Sequence, residues 1–285
     1  MTAALEVRIE YPAQGVARVV LDRPRARNAQ NLDLLYRLDD AFTHCLRDDS
    51  IRAIILAAEG PDFSAGHDLR AQISAEPAER FEARGTWSGF DGEGGHAYIA
   101  RERELFFELT TRWRNLAKPT IAQVHGNCVA GGLILAWACD IIIAAEDARF
   151  CDPVVEMGVC GVEWFAHPWE LGHRKAKELL LTAAAWSARE AEQMGMVNRV
   201  VSRKDLPDAA LEMAVRIAAQ PVLAAKLVKQ AVNAAIDAQG QMQALEAAFQ
   251  MHQVCHYHNR ELFGIEGNPA GMPSRITGKV PRETT

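Results

Sequence analysis

Three short segments of this 285-residue chain hold residue types that can do chemistry. The first, Asp22-Arg23-Pro24-Arg25-Ala26-Arg27-Asn28-Ala29, packs three arginines into five positions of an otherwise acidic protein. Guanidinium groups match phosphate oxygens bidentately, so this run reads either as a phosphate clamp or as a solvated charged face. The second is Phe63-Ser64-Ala65-Gly66-His67-Asp68-Leu69-Arg70, and the third is Gly126-Asn127-Cys128-Val129-Ala130-Gly131-Gly132-Leu133. Small residues at a turn let a ligand come close to backbone N–H groups. Two such turns side by side can hold an oxyanion, among the largest contributions to acyl-transfer chemistry. The alternative for both is tight packing of a helix on a sheet. A fourth cluster, His252, Cys255, His256 and His258, has two histidines at i, i+4, the spacing of some zinc pairs. With no acidic partner in the nearby sequence it reads as a polar helix face or a subunit contact, and no metal is expected.

These segments need elements to position them. Val16 to Leu21 and Ile51 to Ala57 read as buried strands flanking a helix over Leu32 to Leu46, a strand–helix–strand order typical of α/β folds. Pro77 to Gly95 reads as a mobile, Gly-rich excursion. Ile99 to Leu116 follows as one amphipathic helix, with Leu105, Phe106, Leu109, Trp113 and Leu116 on its apolar side. Thr120 to Val124 is a strand, Gly131 to Ala138 an apolar helix, and Ile141 to Ala145 a further strand. After Asp205 the strands give way to helices over Asp205–Ala219, Pro221–Ala238 and Gln241–Phe263, with Pro221 suited to a first helical position. The tail beyond Gly264 has no periodicity.

Composition narrows the classes. Hydrophobic residues at 49% and charged residues at 24% describe a globular protein with a sizeable core rather than a disordered one. A net charge of −6 argues against a nucleic-acid partner. The longest apolar stretch, Val129 to Ala145, is broken by Gly131-Gly132 and Asp140, so no membrane span is expected. No secretory signal is visible at Met1 to Arg8, and six cysteines without CxxC spacing fit a cytoplasmic protein with reduced thiols.

Taken together, the arginine turn, FSAGHDL, KPTIAQVHG leading into AGG, CDIIIAAEDARF and LLLTAAAWSAREAEQMGMVNRVV resemble the crotonase superfamily, the enoyl-CoA hydratase/isomerase family. The resemblance covers most of the chain. It implies an α/β spiral of ββα units over residues 1–204, with a C-terminal helical region, 205–285, that builds homotrimers or hexamers. It implies an enzyme of lipid metabolism, a lyase or isomerase, whose substrate is an acyl-CoA thioester. No separate cofactor is needed, CoA being part of the substrate. By position, the oxyanion amides are those of His67 and Gly131. Arg27 and Arg70 face the CoA phosphates, and Ala65 lies by the adenine.

The same resemblance exposes a departure. Typical hydratases place one glutamate after the glycine turn and another after the ARF-type strand; here the matching positions are Ile134 and Val154, which cannot exchange a proton. Glu163 lies next to a position where some members carry an alternative catalytic aspartate, and its neighbours Trp164 and Phe165 favour a raised pKa. Its bland reading is a surface or interface glutamate. His67 matches a histidine of a decarboxylase branch, though its side chain can equally line the acyl pocket. Glu156 and Asp68 are weaker candidates, each suited to a cap or an ion pair. Three functions remain open: enoyl-CoA hydration or isomerisation, decarboxylation or another enolate reaction, and acyl-CoA binding without catalysis.

Overall fold

The computed structural model describes residues 6–70 and 82–272. Its elements run β1 (Val7–Ala13), β2 (Val16–Leu21), α1 (Leu32–Arg47), β3 (Ala53–Ala58), α2 (Gly95–Glu102), α3 (Leu109–Arg114), β4 (Thr120–Val124), β5 (Asn127–Val129) and α4 (Gly131–Trp137). They continue with β6 (Ile141–Ala145), β7 (Arg149–Cys151), α5 (His167–Leu171), α6 (His173–Thr182), β8 (Trp186–Ser187), α7 (Ala188–Met194) and β9 (Arg199–Val201). Three helices close the chain, α8 (Leu206–Ala218), α9 (Val222–Ala238) and α10 (Gln241–Phe263).

Two sheets carry the architecture. A six-stranded sheet runs β1-β2-β3-β4-β6-β9, parallel except for the β1–β2 hairpin, and a small sheet runs β5-β7-β8. The central strands are continuous apolar runs because both of their faces are covered. One face packs against α1, α3 and α4 through Leu34, Leu38, Trp113 and Leu133. The other is covered by α8, whose Leu206, Ala209, Ala210 and Ala214 lie on Val20, Ile55 and Ile143. Each large side chain fully withdrawn from water contributes about 1.5–3 kcal/mol. The apolar stripe of α8 is therefore used within the chain, whereas α9 and α10 keep Leu223, Leu227, Val232, Met251 and Val254 exposed. No helix among the described residues is long and apolar enough to cross a membrane.

Three expectations change. The single helix over Ile99 to Leu116 begins earlier, at Gly95, and contains a π-helical segment at Arg103–Glu108. The wider turn lets Glu104 be buried beside Phe106 and Phe107, where it accepts a hydrogen bond from Tyr36 Oη at 2.5 Å. Residues 77–81 of the expected excursion lie outside the described residues. The remainder lacks regular structure but is pinned, because Arg84 donates to Tyr36 O and Asp39 while the Arg84 and Gly85 amides donate to Glu104. Pro221 is the residue before α9 rather than its first helical position, with ψ at 124°.

Candidate active site

Three turns are laced together at one end of the sheet. The chain between β2 and α1 makes a short 3-10 turn at Pro24–Ala26 and then puts Arg27 and Asn28 in the left-handed region, φ 53° and 51°. Asn28 is fully buried; its Nδ2 donates to Glu59 O and Asp62 O, and its Oδ1 accepts from the Arg23 amide. Those bonds offset the strain of a non-glycine residue at positive φ. Asn31 caps α1 by accepting from the Leu34 amide at 2.8 Å, a contact contributing about 1 kcal/mol that also fixes Gln30.

The second turn joins the first and the third. Ala65 N donates to Arg27 O, Gln30 N to Gly66 O and Asp68 N to Gln30 O. Ser64 N donates to Asn127 O, Val129 N to Ser64 O, and the Ser64 hydroxyl to Asn28 O. Parallel bridges at Gln30–His67 and Ser64–Cys128 complete the lacing. The three segments singled out in the sequence are thus one structural unit.

Glycine is required where the turns meet. A Cβ on Gly131 would lie 2.4 Å from His67 Cδ2, 2.6 Å from His67 Nε2 and 2.7 Å from Gln30 Oε1. A Cβ on Gly66, at φ +86°, would lie 2.8 Å from Val129 O and 3.3 Å from Gly131 N. Gly131 opens α4 and so has no acceptor within its helix. Among the described residues, neither the His67 nor the Gly131 N–H has a protein acceptor.

The His67 ring stacks on Phe106 with centroids 3.8 Å apart. Burial pushes its pKa down to about 3, with nearby His252 adding to the effect, so the imidazole is neutral. Its Nδ1 lies 3.5 Å from Glu163 Oε1, and its Nε2 has no protein partner. Glu163 is 3% exposed, so the surface reading of this residue is wrong. Burial first, and then the neighbouring Glu102, hold its carboxyl well above the usual carboxylate range. The His67–Glu163 contact, at 3.5 Å, is not a tight hydrogen bond.

Behind Glu163 stands a group that the sequence reading missed. His252 Nε2 lies 3.5 Å from Glu163 Oε1 and 3.9 Å from Glu102 Oε2, and His256 Nε2 lies 3.5 Å from Glu102 Oε1. The expectation that this histidine pair has no acidic partner thus fails, because folding brings α2 and the 163 loop against α10. Asp152, also missed, is 2% exposed and accepts from the Val162 amide at 3.1 Å, which holds the loop carrying Glu163.

The remaining candidates separate. Arg27 is largely exposed, its Nε 3.5 Å from Asp62 Oδ2, with Ala65 partly buried beside it. Arg70 is exposed, its amide donating to Asp68 Oδ1. Asp68 is the ion-pair partner of Arg23 at 2.6 Å, and Glu156 is exposed. Ile134 is buried in α4, and Val154 starts a 3-10 turn.

Comparison with known proteins gives a consistent result. The profile of one family, described as enoyl-CoA hydratase/isomerase, matches residues 12–267. A Mycobacterium tuberculosis protein named as an enoyl-CoA hydratase is 45% identical over 255 residues, 87% of this chain and 80% of its own. The 1,2-epoxyphenylacetyl-CoA isomerase of Escherichia coli is 31% identical over 235 residues, 81% of this chain and 83% of its own. A solved structure from Mycobacterium thermoresistibile, named for the same hydratase activity, matches with a TM-score of 0.83 at 42% identity. That match covers 92% of this chain and 98% of the solved one.

Proposed function

Because the chain belongs to the enoyl-CoA hydratase/isomerase family and has the crotonase α/β fold, we propose that it stabilises the enolate of an acyl-CoA thioester at the His67 and Gly131 amides. The observation carrying this reading is the meeting of the two turns, with both N–H groups free of protein acceptors among the described residues. Donors fixed before the reaction stabilise charge as it develops on the thioester oxygen. Arg27 and Arg70 hold the CoA phosphates, and Ala65 lies by the adenine. Glu163, the nearest carboxyl to the His67 ring, exchanges the proton at the acyl carbon.

Within the family's chemistry, isomerisation or decarboxylation suits this site better than hydration. Water addition needs a held water, a base and a proton donor. Ile134 and Val154 supply none of these where the resemblance puts the usual glutamates, and a single Glu163 serves one face of the substrate. Residues 1–204 form the acyl-CoA-binding core in this reading. Residues 205–285 assemble trimers or hexamers through the apolar residues left exposed on α9 and α10. The setting is the cytoplasm and lipid metabolism.

The test is a turnover screen across enoyl-, dienoyl-, malonyl- and hydroxyacyl-CoA substrates with mass-spectrometric detection. Turnover of at least one substrate, lost in Glu163→Gln, is expected. Binding of every acyl-CoA without turnover of any would leave only the non-catalytic alternative.

A further inference from the structure

The four side chains behind the His67 ring come from three separate parts of the chain. Glu102 ends α2, Glu163 sits on the loop before α5, and His252 and His256 stand one turn apart on α10. One ligating atom from each lies within 4.8 Å of all the others. Glu163 and His252 are 3% and 4% exposed, and Glu163 Oε2 has no hydrogen-bond partner.

The hydrogen bonds around the two rings settle which nitrogens are bare. His252 Nδ1 lies 2.7 Å from Gly161 O, and His256 Nδ1 lies 2.8 Å from Glu266 O. A carbonyl oxygen only accepts, so each Nδ1 carries a proton and each neutral ring presents Nε2 as a lone pair. The two Nε2 atoms are 2.6 Å apart and face the carboxylates of Glu102 and Glu163. Four groups able to offer a lone pair thus converge, held together either by shared protons or by a cation that displaces them. A proton between the two rings uses two of the four donors. A divalent ion uses all four, displaces the proton of Glu163 and matches the charge of the two carboxylates that result.

Geometry and donor type agree with an ion. Metal–nitrogen and metal–oxygen bonds of about 2.0–2.2 Å in a tetrahedron put neighbouring ligand atoms about 3.3–3.6 Å apart. The His252–Glu163 Oε1 and His256–Glu102 Oε1 separations, both 3.5 Å, already have that value, while His252 lies 3.9 Å from the other Glu102 oxygen, Oε2. The ring pair, at 2.6 Å, has to open by about 0.7 Å, and the widest separations in the group, up to 4.8 Å, have to close by about 1 Å, movements that side-chain torsions supply. Backbone carbonyls accepting the far N–H of each imidazole are the usual outer shell of a metal-bound histidine. Gln253 Nε2, donating to Glu102 Oε2 at 2.5 Å, orients the carboxylate in the same way. Two imidazoles with two carboxylates favour zinc or another first-row transition ion over magnesium or calcium, which take oxygen donors.

We propose that Glu102, Glu163, His252 and His256 form a binding site for one divalent transition-metal ion, zinc above all, which ties α10 to α2 and to the loop bearing Glu163. The site shares Glu163 with the acyl-CoA reading, and its test uses metal alone, so the failure of one is distinguishable from the failure of the other.

The experiment measures metal content of the purified full-length protein by plasma mass spectrometry, then titrates chelator-treated protein with zinc chloride by calorimetry. One ion per chain with micromolar or tighter affinity is expected. His256→Gln should weaken binding by about 100-fold or more, since loss of even an outer-shell partner costs 10–100-fold. His258→Gln, exposed on the same helix, should bind as the wild type does. Circular dichroism of each variant reports folding. His252 is buried, so the partly buried His256 is the deciding substitution. Cobalt(II) in place of zinc should give the visible absorption of a four-coordinate ion. Absence of stoichiometric zinc binding, or binding equal in wild type and folded His256→Gln, would overturn the proposal and leave a shared proton between the two rings.

Discussion

Gly131→Ala is the substitution that probes the proposed oxyanion site most directly. The added methyl would lie 2.4 Å from His67 Cδ2 and 2.6 Å from its Nε2. Ordinary carbon contacts begin near about 3.5 Å, so the two turns must part by roughly 1 Å at this point. The His67 ring cannot simply swing aside, because it is stacked on Phe106 at 3.8 Å. An N–H···O bond of about 2.9 Å lengthened by that amount is no longer a hydrogen bond. One of the two donors is therefore lost, which costs about 2.7–4 kcal/mol, or 10²–10³-fold, of enolate stabilisation. Overpacking alone would cost about 1–3 kcal/mol of stability, which thermal unfolding reads separately. The assay is the ultraviolet band of enolised acetoacetyl-CoA bound to the protein, since it reports the oxyanion environment without any turnover. Wild type should shift the ligand toward its enolate, and Gly131→Ala should bind it with that shift abolished. A folded Gly131→Ala variant with the full wild-type enolate band would refute the assignment of the Gly131 amide.

Arg27→Ala and Arg70→Ala should each weaken acyl-CoA binding by about 1.5–3 kcal/mol in calorimetry, the contribution of a charged phosphate contact; unchanged affinity would mean that the phosphates lie elsewhere. Crotonyl-CoA hydration by the wild type should be weak, because each missing acid or base is worth about 10²–10⁴-fold, and Ile134→Glu/Val154→Glu should raise it; hydratase-like turnover of the wild type would contradict this. Light scattering should give a trimer or hexamer, and a stable monomer at micromolar concentration would refute assembly through α9 and α10. Burial raises Glu170 to about 7, against an opposing pull from Arg114. The folded state then holds a proton that the unfolded state gives up, so stability falls as pH rises from about 4.5 to 7. Glu170→Gln should accordingly raise the unfolding temperature at pH 8 by more than at pH 5, with about 2–3 kcal/mol at stake, and an equal shift at both values would refute the argument.

How much of this was legible in the sequence follows from where the information is stored. β2, β4 and β6 occupy the expected residues because each is a short apolar run ended by a turn residue. Gly131-Gly132 and Ser64-Ala65-Gly66 were readable because close backbone approach admits only small residues, and that restriction is written locally. Two- and three-residue strands such as β5, β7 and β8 are too short to show a period, so no signal announced the small sheet that holds the glycine turn.

The metal-ligating group was legible by half, and the missing half explains itself. His252 and His256 declare a shared face through their i, i+4 spacing, which helix geometry alone sets. Glu102 gives no such sign. Within Arg101-Glu102-Arg103-Glu104 its alternating charges match a solvated helix surface. What turns these carboxylates inward is tertiary structure. The π-helical segment at Arg103–Glu108 shifts the phase of the helix just after Glu102, so that Glu104 meets Tyr36 while Glu102 faces α10. Glu163 is ambiguous for the opposite reason: its apolar neighbours predict burial, but only the fold shows that the burial places it between His67 and His252. A backbone-recognising oxyanion site is encoded where it lies. A site made of converging side chains is encoded in three places, and only packing reveals that the three belong together.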